Sequence, residues 1–149
     1  MKHSEESDEI KKRLIKDLKE KGYKLTPQRT AIINILSKEK IHPRALDIFK
    51  KARKKVPQIS MSTVYYTLDI LKKKGLICEL EFYDMDNRYD VNVSSHLNLI
   101  CTKCGKIEDF NEEPPISSQA VQDKTGFQPF QMRFEYYGYC QECSHRQKK

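Results

Sequence analysis

Two cysteine pairs with CxxC spacing give the clearest indication of chemistry in this sequence. They are CTKC (Cys101 and Cys104) and CQEC (Cys140 and Cys143). A CxxC on a tight turn directs two thiolates the same way, and two such turns together form the tetrahedral all-thiolate set that Zn²⁺ prefers. We therefore predict a structural zinc ion held by these four cysteines, with no open position for catalysis. The alternative is a redox dithiol, which normally needs a CxxC at a helix start in a βαβ context that this sequence lacks.

The first pair lies within HLNLICTKCGKIEDF (residues 96–110), which also contains imidazole, amide and carboxylate side chains. His96 begins a predicted strand and Asp109 ends the next one. Asp90 and His42 lie farther toward the N-terminus. Sequence spacing alone does not join these residues. The stretch could hold one metal, two metals, or no metal and a redox pair, and the ordinary interpretation of each lone histidine is a surface or internally satisfied side chain.

The other cysteine and histidines are expected to be passive. Cys78 stands alone on a predicted strand and is interpreted as a core thiol. His3 and His145 lie in terminal segments and are expected to have no specific role, and SHRQKK at the C-terminus reads as a polar tail.

Composition predicts a soluble, highly charged protein. The chain has 149 residues, enough for one domain or two small ones, with 38% hydrophobic and 33% charged residues. No apolar run approaches the roughly 18–20 residues that a membrane span needs, and the N-terminus lacks a secretory h-region. We therefore expect no membrane partner and a cytoplasmic location, where paired cysteines more often bind metal than form disulfides.

The charge is unevenly distributed. Residues 1–75 carry 20 Lys/Arg and 9 Asp/Glu, a net of +11, while residues 76–149 carry 8 and 12, a net of −4; the two add to the total of +7. The basic half would meet a polyanion such as nucleic acid. The alternative is a solvated lysine-rich surface.

Periodicity predicts helices through the first half. Residues 6–21 form an amphipathic helix ended by Gly22, and Thr26 caps a second helix whose first position is Pro27. Pro43 at the first position of a third helix would make His42 its N-cap. Ser60 or Ser62 would cap a fourth helix that ends at Gly75. Its inner face would contain Val64, Leu68 and Leu71.

Two strands around a turn at residues 84–87 follow within LICELEFYDMDNRYDVNV (76–93). Helices followed by a hairpin predict a winged helix-turn-helix. The rear half predicts strands at 96–101, 105–110 and 129–140, with a short helix within 112–126. The fold class is thus α+β, with a winged helix-turn-helix at residues 1–84, a hinge at 85–94, and a small α/β dimerisation and metal-binding domain at 95–149.

These motifs together resemble the ferric uptake regulator superfamily over about residues 10–143, and most closely its peroxide-stress regulators. The resembling stretches are LTPQR (25–29), HPRALDIF (42–49), PQISMSTVYYTLDILKKKGLI (57–77), NRYD (87–90), HLNLICTKCGKIEDF (96–110) and YCQEC (139–143). The resemblance implies a homodimeric transcription regulator, not an enzyme, that binds double-stranded DNA at a palindromic operator. Expected DNA-contacting residues are Lys24, Arg29, Ser62, Thr63, Tyr65 and Tyr66.

The resemblance also implies a regulatory metal site with Fe²⁺ or Mn²⁺ between the domains, besides the structural Zn²⁺. Its ligand positions match His42, Asp90, His96, Asn98 and Asp109. Asn98 replaces a residue that is usually histidine, and Tyr66 stands where relatives often have Arg or Asn. Iron-uptake regulators typically have Glu at the position of Asp109, whereas peroxide sensors have Asp.

The resemblance therefore favours a repressor that senses hydrogen peroxide by iron-catalysed oxidation of His42 or His96 and then releases DNA. The main alternative is a repressor of the same family that senses iron or manganese availability without histidine oxidation. A zinc sensor, a thiol oxidoreductase and a DNA-binding protein with structural zinc only are further alternatives.

Overall fold

The structure, a computed structural model, describes residues 2–39 and 42–146, and at Lys2 and His3 it describes the backbone alone. The expectations for His3 and for the last three residues of the tail lie outside the described residues. The chain divides into two compact units, of which the first ends at Val93 and the second begins at Ser94. No helix among the described residues is long and apolar enough to cross a membrane.

The helices of the first unit are α1 (Lys2–Glu20), α2 (Pro27–Lys38), α3 (Ala45–Arg53) and α4 (Met61–Lys73). α1 begins earlier than predicted, and it ends before Gly22, whose φ of 81° is accessible at little cost only to glycine. Thr26 caps α2 through a 3.2 Å bond from the amide of Arg29. Ser60, and not Ser62, caps α4, because its hydroxyl accepts a bond from the amide of Thr63 at 3.1 Å.

The helices pack around one apolar core. The predicted inner face of α4 is confirmed, since Val64, Leu68 and Leu71 are at most 1% exposed. The same cluster contains apolar residues of all four helices and Tyr89 of the following hairpin. Because the inner face of α4 is buried in this core, its opposite face is left exposed.

The predicted start of α3 is wrong. The helix begins at Ala45 with Arg44 as its N-cap, so His42 is not a capping residue. The carbonyl of Pro43 accepts a 3.0 Å bond from the amide of Tyr89, which keeps this segment extended against the hairpin. The amide of Arg44 donates to the carboxylate of Asp47 at 3.3 Å, which starts the helix there.

The hairpin consists of β1 (Cys78–Leu80) and β2 (Arg88–Asp90), which are antiparallel and shorter than predicted. The predicted hinge at 85–94 therefore contains a paired strand of the first unit. Cys78 lies opposite Asp90 and is half-buried, less enclosed than a core thiol.

The second unit is a three-stranded sheet with two helices. β3 (Leu97–Cys101) lies between β4 (Ile107–Phe110), which is antiparallel to it, and β5 (Glu135–Gly138), which is parallel. α5 (Ser118–Thr125) precedes β5. The last strand is much shorter than the predicted 129–140. The predicted polar tail is partly wrong, because residues Gln141–Arg146 form α6, where His145 is exposed.

Candidate metal centres and nucleic-acid interface

The sheet of the second unit brings the two cysteine pairs together. Cys101 ends β3, and the amide of Thr102 donates to the carbonyl of Gly138 at 2.9 Å, which ties this end of β3 to the end of β5. Cys140 follows β5, and Cys143 lies in the first turn of α6. The first CxxC turn closes with a 2.9 Å bond from the amide of Gly105 to the carbonyl of Cys101.

The four sulfur atoms form one cluster, all within 4.8 Å of one another, and none is in a disulfide. The Sγ atoms of Cys104 and Cys140 are 3.8 Å apart. A tetrahedron with Zn–S bonds of about 2.3 Å has edges of about 3.8 Å, so this separation fits zinc. The donor set predicted from spacing is therefore assembled in the second unit.

The cluster also has the electrostatics of a cation site. Backbone amides, first that of Cys140, donate to the sulfur of Cys101 and lower its pKa to about 6. Burial and neighbouring thiols raise the pKa of Cys143 to about 12. Four thiolates this close repel one another unless a cation neutralises them, and Zn²⁺ supplies that charge.

A buried imidazole–carboxylate pair lies in the first unit. The Nε2 atom of His42 is 3.2 Å from Oδ2 of Asp90, and their side chains are 2% and 8% exposed. The guanidinium of Arg88 donates to the carbonyl of His42 at 3.1 Å, and the amide of Asn92 donates to Oδ1 of Asp90 at 2.8 Å. The hairpin thus positions both members of the pair.

A second imidazole–carboxylate pair, less buried than the first, lies in the second unit. The Nε2 atom of His96 is 3.4 Å from Oδ1 of Asp109, and their side chains are 8% and 29% exposed. The Nδ1 atom of His96 is 2.8 Å from the carbonyl of Ser94, which can only accept, so Nδ1 carries a proton. Nε2 is thus the ring nitrogen that faces the carboxylate, and it is the atom available to ligate a cation held by the pair.

Asn98 belongs to the same face of this sheet. It pairs with Asp109 on β4, and paired residues project their side chains to one face. The residue is 5% exposed, and its Oδ1 atom accepts no hydrogen bond from any residue that the structure describes. A buried amide oxygen without a donor is costly unless something else binds it. An oxygen of this kind is a suitable ligand for a hard or intermediate cation.

The predicted DNA-contacting residues of α4 are accessible. Tyr65 and Tyr66 are 54% and 60% exposed, Ser62 is exposed and Thr63 is half-buried. They lie in the first two turns of the helix, where free amides and hydroxyl groups can meet phosphate and base edges.

The remaining two predicted DNA contacts, Lys24 and Arg29, differ in exposure and in hydrogen bonding. Lys24 is exposed, whereas Arg29 is half-buried and donates to the carbonyl of Lys24 at 2.6 Å. The guanidinium also lies 5.7 Å from the ring centre of Tyr23. Arg29 therefore holds the loop that presents Lys24, and its own contact with DNA stays a prediction.

Sequence reasoning did not single out Glu79, which joins α4 to both hairpin strands. Its carboxylate accepts bonds from Lys72 of α4 at 2.5 Å, Asn87 at 3.0 Å and Tyr89 at 3.1 Å. Burial raises the pKa of Glu79, but these donors, first Lys72, outweigh it and lower the pKa below its usual value. No periodicity or motif in the sequence marks this residue, because its partners lie on three different elements.

Comparison with known proteins identifies the family. The ferric uptake regulator family model matches residues 20–137. The peroxide operon regulator of Bacillus subtilis (strain 168) is 41% identical over 138 residues, which cover 91% of this chain and 94% of that protein.

Two solved structures are also similar. The ferric uptake regulator of Helicobacter pylori, described as having three functional metal binding sites, is 28% identical with a TM-score of 0.73, covering 93% of each chain. The peroxide-sensing regulator PerR of Streptococcus pyogenes is 28% identical with a TM-score of 0.53, covering 90% of this chain and 92% of that one. Over most of its length, and with its cysteine cluster in place, this chain belongs to the ferric uptake regulator family.

Proposed function

We propose that the protein is a metal-dependent transcriptional repressor that senses hydrogen peroxide and releases its operator when oxidised. The carrying observation is that each unit places a histidine beside a carboxylate. The Nε2 atom of His42 is 3.2 Å from Asp90 and that of His96 is 3.4 Å from Asp109, and both imidazoles are at most 8% exposed. The similarity to peroxide regulators, at 41% identity for the Bacillus subtilis protein, supports the peroxide stimulus. Asp109 supports it too, since an aspartate at this position is typical of the peroxide sensors.

The two pairs are proposed to bind one regulatory ion together, with Asn98 as a fifth donor. Imidazole and carboxylate ligands suit Fe²⁺ or Mn²⁺, whereas the four thiolates suit structural Zn²⁺. The buried amide oxygen of Asn98, which no described residue binds, supports its assignment. An amide oxygen is a weaker ligand than the imidazole usual at this position, so we expect a lower metal affinity.

Bound Fe²⁺ would supply the one-electron reduction of hydrogen peroxide, which Mn²⁺ does not readily support. His42 and His96 would hold the ion through their imidazole nitrogens, so they are the proposed oxidation targets. In the overall change, one imidazole carbon exchanges its C–H for a carbonyl, giving 2-oxo-histidine, and the peroxide is reduced to water. The modified ring is a poor ligand, and the change is not readily reversed.

Release of DNA would follow from loss of the shared ion. His42 and Asp90 belong to the unit with α4, and His96 and Asp109 belong to the other unit. One ion bound by both pairs would fix the orientation of the recognition helices, and a palindromic operator accepts one spacing between them. Loss of the ion would therefore weaken operator binding.

The proposed assembly is a homodimer that acts in the cytoplasm as a regulator and not as an enzyme. Large side chains of the second unit are exposed, notably Phe127, Phe130, Tyr136, Tyr137 and Tyr139 at 55–97%. Exposed aromatic side chains in such number are typical of a face that a second copy covers. Regulators of this family bind DNA and are typically dimers.

Peptide mass spectrometry tests the function. The protein is loaded with Fe²⁺ without oxygen and treated with a small excess of hydrogen peroxide, with an Mn²⁺-loaded sample as control. A gain of one oxygen atom on the His42 or His96 peptide in the iron sample alone is expected. Unmodified histidines would support the alternative, a sensor of iron or manganese availability. Oxidised cysteines with loss of zinc would instead assign the switch to the thiolates.

A further inference from the structure

The basic segment KKARKK (residues 50–55) is a strong charge cluster that the proposed function does not use. It contains the last turn of α3 and the two residues after it, and every side chain except that of Ala52 is exposed. Basic residues at a helix C-terminus stabilise the helix through its dipole, which is the ordinary explanation for such a segment.

The protein itself neutralises little of this charge. Lys51 contacts the carboxylate of Glu39, while Asp47 is held by Arg44 at 2.8 Å. Within the described ranges 2–39 and 42–146, no carboxylate forms an ion pair with the rest of the segment, that is, with Lys50, Arg53, Lys54 or Lys55. Helix stabilisation alone does not require so many uncompensated cations.

The segment is ordered and leads directly to the recognition helix. The amides of Lys55 and Val56 both donate to the carbonyl of Ala52, at 3.0 and 2.9 Å, and Val56 and Ile59 are 8% and 4% exposed. This anchored turn ends at Ser60, the N-cap of α4. Since a chain extends at most about 3.6 Å per residue, the Cα atom of Lys55 lies within about 18 Å of that of Ser60.

We propose that the basic segment binds the phosphates of duplex DNA beside the groove that α4 enters. In a helix-turn-helix the helix before the recognition helix crosses the DNA backbone, and α3 holds that position here. The inference rests on the DNA binding of the proposed function and extends its contact surface. Phosphate contacts carry no sequence information, so the segment would add affinity without adding specificity.

A charge-removal experiment with a matched control tests this. The test variant is Lys50→Gln/Lys54→Gln/Lys55→Gln, and the control is Lys12→Gln/Lys19→Gln/Lys21→Gln. The control also removes three exposed lysines, of which Lys19 lies in the last turn of α1 and Lys21 directly follows the helix, where carboxylates are interspersed. Binding of a mixed-sequence duplex to the Mn²⁺-loaded full chain is measured over a range of salt concentrations, together with the melting temperature.

For the test variant, the slope of log affinity against log salt is expected to become shallower by about 0.9 for each phosphate that the segment no longer binds, up to about 2.7. The control should keep the wild-type slope at a similar melting temperature. Equal slopes in both variants would overturn the proposal and leave helix stabilisation as the role of the segment. A mixed-sequence duplex needs no operator, and the peroxide treatment of the Fe²⁺-loaded protein reports separately on the proposed function.

Discussion

The Nε2 atom of His42 lies 3.2 Å from Oδ2 of Asp90, although the two residues are 48 positions apart in the chain. The contact depends on the late start of α3, which leaves His42 in an extended segment that β2 binds through Arg88 and Tyr89. A capping role at the start of α3 would have placed the imidazole elsewhere. The hairpin therefore supplies one proposed ligand, Asp90, and positions a second, His42.

Asp90→Ala should weaken the response of DNA binding to metal. Losing a buried carboxylate beside His42 takes away one charged ligand, so the Mn²⁺ concentration for half-maximal binding should rise about tenfold or more. Fluorescence anisotropy with a promoter fragment measures this. Asp84→Ala, at an exposed position in the same hairpin, is the control. An unchanged Mn²⁺ response in Asp90→Ala would exclude this residue as a ligand.

Asn98→Leu should separate stability from function. Replacing a buried amide whose oxygen no described residue binds should raise the free energy of unfolding of the metal-free form by about 1–3 kcal/mol. The same change should weaken Mn²⁺ binding, while Asn98→His should strengthen it. Urea denaturation without regulatory metal and Mn²⁺ titration measure the two effects. If the leucine variant bound Mn²⁺ like the wild type, Asn98 would not be a ligand.

Cys104→Ser should abolish zinc binding, whereas Cys78→Ser should retain it. Three thiolates with one hydroxyl lose most of the affinity of the closed site, and the small second unit depends on that site for stability. Elemental analysis of the purified variants measures zinc per chain. Zinc at the wild-type level in Cys104→Ser would mean that the ion is held elsewhere.

Glu79→Gln should lower the free energy of unfolding by about 1–2 kcal/mol at neutral pH, because three donors lose a charged acceptor. The pKa of Glu79 is lowered in the folded state, so its stabilisation is complete above the unfolded pKa of about 4.5 and is lost as the pH falls through the lowered value. The difference between wild type and variant should therefore shrink in acid. Denaturation at several pH values, with Glu81→Gln as the exposed control, measures it; a constant difference would contradict the assignment.

Lys24→Ala and Tyr65→Phe should each weaken operator binding at fixed salt. Both side chains are exposed, and the phenol of Tyr65 can donate a hydrogen bond to DNA that phenylalanine cannot. Removal of the Lys24 charge should also make the salt dependence shallower, by about 0.9 in the slope of log affinity against log salt. Tyr83→Phe, an exposed tyrosine of the β1–β2 connection, is the control. If both variants bound the operator with wild-type affinity, neither residue would be a DNA contact.

Helices were predicted correctly from the sequence where the local capping and spacing signals agree with the tertiary contacts. Thr26 before Pro27 and the spacing of Val64, Leu68 and Leu71 predicted α2 and α4 correctly, and the CxxC spacing predicted the assembled sulfur cluster. The local signals predicted the wrong start for α3. The hydrogen bond from the amide of Tyr89 to the carbonyl of Pro43 joins residues far apart in the chain, and local signals do not report such a contact. The Glu79 network was missed for the same reason.

One short strand carries donors for both proposed metals. His96 immediately precedes β3, Asn98 lies within it, and Cys101 ends it. The zinc cluster fastens one end of this strand and so sets the position of the regulatory donors at the other. Newly made chains would therefore have to acquire zinc before they could take up iron or manganese. A cell starved of zinc would then hold fewer working repressors whatever its iron supply, and the genes that they repress would be partly expressed without any peroxide.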